Sequence, residues 1–224
     1  GPGRITGSRT REQGMVRFWA ICRNTFVQTI RQPIYGVLVA LTIFSLVITV
    51  PLAGWTMSSD YHKTDQQHLE NLSLGTLLVA GMLVAAFSAS GALAREIEDR
   101  TALTVVAKPV SRATFVLAKF AGVAAAVAAA FYLCTLVFLM TVRHRVMPAA
   151  SDPYDWPVIV LGVSALGAAL LTALAGNYFF AWPFVSTAVW AALVTFTAAS
   201  ACIAFVGKEW EIVPFGEGIS PQLL

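Results

Sequence analysis

The chain is 224 residues long, 57% hydrophobic and only 12% charged, with a formal net charge of +3. Soluble domains carry about a quarter charged residues, so this composition, with a mean hydropathy of +0.71, excludes a water-soluble globular domain. The small basic excess is of the size that membrane topology produces and calls for no nucleic-acid partner.

Residues 1–14 are polar and basic, open on Gly-Pro in the manner of a protease scar, and are expected to be a disordered or cloning-derived leader, with Met15 as the natural start. They lack the apolar core and cleavage pattern of a secretory signal. The stretch "MVRFWAICRNTFVQTIRQ", residues 15–32, predicts an amphipathic helix lying in the membrane interface. Arg17, Asn24, Gln28 and Arg31 recur at helical spacing opposite Phe18, Trp19, Cys22, Phe26 and Ile30, the pattern of a helix with one wet and one lipid-facing side. Arg17, Trp19 and Arg31 are its candidate interfacial anchors; the alternative is the cytoplasmic end of the first span. Pro33 resets the chain direction, and residues 34–54 form a first span without a charge.

Residues 55–72 read as a polar loop and 73–94 as a second span. The segment "REIEDRTALTVVAKPVSRATFVLAK", residues 95–119, then concentrates three acids and five bases. Glu96 and Arg100 lie at i,i+4, and Pro109 stops a helix predicted over 95–109. Ser111 is placed to cap the next helix. A third, Ala-rich span runs over 113–142; thirty residues would measure about 45 Å, so its first turns, with Lys119, project from the membrane. After the loop "RHRVMPAASDPYDW", residues 157–207 carry no charge, enough for two crossings. "GNYFFAWPF", residues 176–184, supplies the break: Asn177 and Pro183 favour a turn, and Tyr178 and Trp182 suit the interface. Spans four and five are therefore placed at 157–176 and 184–206, with residues 208–224 as an extracytoplasmic tail. The predicted fold is all-α, a polytopic transmembrane helical bundle over residues 15–207.

Orientation follows from Lys and Arg. With the N-terminus cytoplasmic, segments 1–33 and 95–119 hold eleven of the fifteen bases, as the positive-inside rule requires. Apart from Lys119, in the projecting first turns of the third, none of the five apolar blocks contains Asp, Glu, Lys, Arg or His. Ion-coupled carriers, proton pumps and voltage sensors need ionisable groups at depth, so a self-powered transporter is disfavoured. No Gly-rich phosphate loop ending in Lys-Ser or Lys-Thr occurs either, so energy would have to come from a partner through a cytosolic surface. Residues 95–112 are the candidate for that surface; the plain alternative is a solvated connecting loop held by topology. His62 and His68, with Asp60, Asp65 and Glu70 nearby, lack a metal-ligand spacing, and the three cysteines form no CxxC pair. Intramembrane serine or zinc protease chemistry lacks its partner residues. Small residues in "AGVAAAVAAA" (121–130) and at Gly162 and Gly167 permit close helix approach.

The stretch "REIEDRTALTVVAKPVSRATFVLAKFAG" resembles the cytosolic signature of permease subunits of ABC-type-2 exporters: an acid pair at the end of the second span, a Thr, Pro-Val-Ser-Arg, and a Lys at the start of the third. "NTFVQTIRQPIYGVL", residues 24–38, is similar to the interfacial helix and first span of those subunits. The resemblance implies a permease in the cell (inner) membrane, paired as a homo- or heterodimer with a second permease copy and coupled to ATP-binding cassette subunits. ATP and Mg would be bound by those partners, with no cofactor and no catalysis in this chain. In that family the helix between the second and third spans is the coupling helix, which would make Glu96, Glu98, Asp99, Arg100, Thr101, Lys108, Pro109 and Arg112 the contacts that transmit partner motion. Such permeases have six spans and a cytosolic C-terminus, so a sixth span is expected beyond the chain end. The competing reading is a membrane scaffold or assembly factor that docks a cytosolic partner through 95–112.

Overall fold

A computed structural model of the chain describes residues 5–55, 62–98, 112–144 and 154–214. Its helices are α1 (Ile5–Ile30), α2 (Pro33–Trp55), α3 (His62–Glu98), α4 (Arg112–His144), α5 (Trp156–Phe180) and α6 (Phe184–Phe205). Each of the last five contains a stretch long and apolar enough to cross a bilayer, so the chain is a multi-pass helical bundle. At 1.5 Å per residue, the 37 residues of α3 and the 33 of α4 reach about 55 and 50 Å. Both exceed a hydrocarbon core of about 30 Å, so their ends stand outside it.

The bundle is built around α4, which packs against each of the other five helices. Its inward side is Ala-rich where neighbours come closest: Ala118, Ala126 and Ala130 are buried, followed by Leu133, Val137 and Met140. Small side chains let helix backbones approach where lipid supplies no hydrophobic drive for association. Leu46 from α2, Val84 from α3, Ala165 from α5 and Phe196 from α6 complete the same core. Tyr35, at the start of α2, is buried and donates its hydroxyl to the carbonyl of Ala126 at 2.8 Å. Helices α5 and α6 form a hairpin packed along most of their length.

Three boundaries differ from the sequence expectation. Helix α1 begins at Ile5, well before Met15. Helix α3 begins at His62, so the second half of the predicted polar loop is helical. Leu69 there is fully buried against Ala53 and Val142, while Gln66 donates to Glu70 at 3.1 Å and to the Val142 carbonyl at 3.3 Å. One apolar contact and a polar outer face suffice to extend a helix beyond the membrane. Helix α5 continues to Phe180, and the break falls at residues 181–183, inside the predicted turn. Ala181 closes α5 in the left-handed conformation (φ 53°), and the Trp182 N–H donates to the Gly176 carbonyl at 3.1 Å. That bond satisfies a terminal carbonyl of α5. After α6, Val206 and Ile212 form an antiparallel bridge, and residues 205–213 fold back as a tight turn.

Candidate functional site

The end of α3 from which the charged stretch departs is tied to two other helices. Arg95, in the last turns of α3, donates through Nε to the Gly91 carbonyl and through Nη1 to the Gln28 carbonyl of α1, both at 3.2 Å. Gln28 lies in the final turn of α1, where carbonyls run out of helical donors. The neighbouring Gln32 N–H bonds Thr29 instead, at 3.1 Å. A guanidinium on that carbonyl both satisfies it and favours the negative end of the helix dipole. Beside it, the Gln32 side chain lies over Gly91, 2.8 Å from where a Cβ would stand. The Gln32 Nε2 atom has no hydrogen-bond partner among the described residues.

Helix α1 also packs directly on α4. At Gly122 the two backbones meet: an added Cβ would stand 2.6 Å from the Cys22 carbonyl oxygen and 2.8 Å from the Thr25 Cβ. The buried side of α1 consists of Thr25, Thr29 and Ile30, with Cys22 and Phe26 partly covered. Two threonines on the inward face were not foreseen from the apolar pattern. Their hydroxyls bond back to the preceding turn, Thr25 to Ile21 at 3.0 Å and Thr29 to Thr25 at 2.9 Å, so they enter the interface with their polarity satisfied. Phe26 makes an edge contact with Trp190 of α6, with ring centroids 5.8 Å apart. Helices α1, α3 and α4 thus meet at one end of the bundle, and a force on the α3–α4 connection would reach all three.

The opposite end is held by charge. Arg143, at the end of α4, pairs with Asp155 at 3.2 Å, and both side chains are almost fully buried. The same guanidinium donates to the Ile203 carbonyl and, at 2.5 Å, to that of Val206, both at the end of α6. Asp155 in turn caps α5, accepting from the Val158 N–H at 3.4 Å. Three helix ends therefore share one buried ion pair, and the orphan carbonyls of α6 receive a cation where the dipole favours it.

A family model described as ABC-2 family transporter protein matches residues 19–211. The chain belongs to that family. No curated protein and no solved structure matches it. Membership makes the chain a membrane permease component of a transporter. The match takes in α2 to α6 and the buried face of α1, so both ends of the bundle belong to the ABC-2 domain.

Within this ABC-2 domain the predicted site residues are placed as follows. Glu96 and Glu98 stand on the last turn of α3, and Arg112 opens α4; their side chains lie outside what is described. Asp99, Arg100, Thr101, Lys108 and Pro109, with most of the predicted helix over 95–109, lie outside the described residues. Arg17 and Trp19 are on the exposed surface of α1, with Trp19 65% exposed, and Arg31 is exposed in the turn that follows it. Lys119 lies over the ring of Phe115 at 4.8 Å. Sequence reasoning missed Arg95 as a link to α1, Gly122 as the seam with α4, and the Arg143–Asp155 pair.

Proposed function

We propose that the chain is the membrane-spanning permease of an ATP-driven exporter, forming the translocation path with a second permease copy and coupled to separate ATP-binding subunits. Residues 95–112, with Glu96, Glu98, Asp99, Arg100, Thr101, Lys108, Pro109 and Arg112, are the coupling segment that those subunits engage. ATP and Mg belong to the partners, and the N-terminus and the coupling segment face the cytoplasm. The observation that carries this reading is the Arg95 bond from α3 to the Gln28 carbonyl of α1. It joins the start of the charged segment to the lead-in helix, which is itself seated on α4 at Gly122. A partner that moved this segment would move three helices together rather than one loop. The absence of charge from the predicted spans, apart from Lys119 in the projecting turns of the third, favours a force supplied from outside the chain.

The test is a gentle detergent purification from the native membrane, followed by mass spectrometry and an ATPase assay. A stoichiometric ATP-binding subunit whose ATPase stimulation is lost in Glu98→Ala and Arg100→Ala supports coupling through this segment. Unchanged ATPase and transport in both variants would reject it, and a purified chain with no nucleotide-binding partner would favour the scaffold reading.

A further inference from the structure

A cavity of about 340 Å³ opens beside the clamped end of the bundle, between α2 and α5, with α4 and α6 behind it. Its floor is Val137, Met140, Val158 and Phe196, all buried, and its rim is Val47, Val163 and Leu166, all substantially exposed. Thr141 borders it, but its hydroxyl is already bonded to the Phe138 carbonyl at 2.7 Å, so the lining is apolar. The size falls at the lower end of the range for small-molecule sites, about 300–1,000 Å³.

The position of the cavity relative to a bilayer indicates what fills it. At its upper end, His144, Tyr154 and Trp156 form an aromatic series with centroids 6.4 and 6.0 Å apart. Tyr154 and Trp156 are half exposed, as the amphipathic rings of a membrane-interface belt are. From Val158 the α5 lining descends to Leu166, about 12 Å along a helix. That compares with about 15 Å for one leaflet of hydrocarbon. The cavity therefore hangs from the interface into one leaflet and is open sideways to it. A helix of a second copy, about 10–12 Å across, is too wide to enter a space of this volume; a single hydrocarbon chain is not.

We propose that this cavity is a binding site for one acyl chain of a bilayer phospholipid, with the headgroup at the level of Tyr154 and Trp156 and the chain between α2 and α5. The proposal concerns a lipid bound to the permease and does not depend on what is transported or on the coupling role of 95–112. Gly162 lies on the cavity wall, where an added Cβ would meet only the Met140 sulfur, at 3.9 Å. Gly162→Leu should therefore fill the site without moving backbone. Gly167, with nothing within 4 Å of an added Cβ, provides the control.

The experiment places the purified protein in nanodiscs containing a phosphatidylcholine with a photoreactive diazirine on one acyl chain, irradiates it and maps the adducts by mass spectrometry. Adducts should concentrate on the peptides holding Val47 to Pro51 and Val158 to Leu166, severalfold above those holding the exposed Leu170, Leu171 and Leu174. Gly162→Leu should lower the cavity adducts severalfold while Gly167→Leu leaves them unchanged. Should Gly162→Leu fail to fold, the wild-type map decides alone. Adducts spread evenly over the exposed helix faces would reduce the contact to annular lipid and overturn the proposal. Missing lipid adducts, together with disulfide cross-links between two copies carrying Val163→Cys, would overturn it in favour of a second copy.

Discussion

Replacing Gly122 by Ala tests whether α1 is seated on α4 as tightly as the structure shows. The new Cβ would lie 2.6 Å from the Cys22 carbonyl oxygen and 2.8 Å from the Thr25 Cβ, where ordinary contact begins near 3.4 Å. Both obstacles belong to the α1 main chain or its root, so neither can rotate away. Relief requires α1 to retreat by about 0.8 Å, and a radial gap of that size forfeits a quarter to a half of each dispersion contact along the seam. Overpacking of this kind costs about 1–3 kcal/mol, and the better helix propensity of Ala returns up to about 1 kcal/mol. A net loss of about 1–2 kcal/mol corresponds to a fall in Tm of about 2–8 °C for a chain of this length. The assay is thermal unfolding in nanodiscs, beside Gly75→Ala, where nothing lies within 4 Å, and Gly91→Ala, where only the end of the Gln32 side chain must shift. Gly75→Ala should match or exceed wild type, Gly91→Ala should fall slightly, and Gly122→Ala should be lowest. A Gly122→Ala protein as stable as Gly75→Ala would refute the tight α1–α4 contact.

Further expectations bear on the clamp, the hairpin and the core. Asp155→Ala leaves the Arg143 guanidinium buried without its counter-ion and should cost about 3–5 kcal/mol; the double variant Arg143→Met, Asp155→Leu should lose much less, measured by denaturant unfolding. Ala181→Gly removes a left-handed strain at φ 53° and should raise stability by about 1 kcal/mol, read as a higher Tm. Tyr35→Phe deletes the bond to the Ala126 carbonyl and should cost about 0.5–1.5 kcal/mol, with no change in the helical circular dichroism. Arg95→Met should loosen α1 from α3, detected as faster amide exchange in residues 24–30 without loss of the fold; unchanged exchange would show that the Gln28 contact is dispensable.

The five long helices were legible because each is an apolar run that no soluble helix needs, and Asn177 with Pro183 marked the break between the last two. What closes that break was not legible, since Ala181 has no propensity for its conformation and is held there by its surroundings. Trp182 packs against Gly176, with Cε3 only 3.0 Å from an added Cβ. Asp155 before Trp156-Pro157 was a readable helix start, an N-cap followed by Pro in the first turn, yet "RHRVMPAASDPYDW" was read only as a loop. Its partner Arg143 is twelve residues away and the Ile203 carbonyl sixty, separations that no local pattern encodes. At the other end, "AGVAAAVAAA" announced close packing, but only the fold shows that Gly122 admits α1 while Gly167 touches nothing. Arg95 was read as part of the coupling segment; its contact with Gln28 spans 67 residues.

The two ends of α4 differ in how firmly they hold. Arg143 reaches Asp155, Ile203 and Val206 at once, so α4, α5 and α6 are pinned at a single point. Any tilt of α4 relative to α5 and α6 has its fulcrum there, and displacement grows with distance along the helix axis. Gly122 lies 21 residues from that point, about 32 Å, so a rotation of about 5° carries it roughly 3 Å. That would be about half of a turn's rise in the neighbouring helix, obtained without breaking one bond of the clamp.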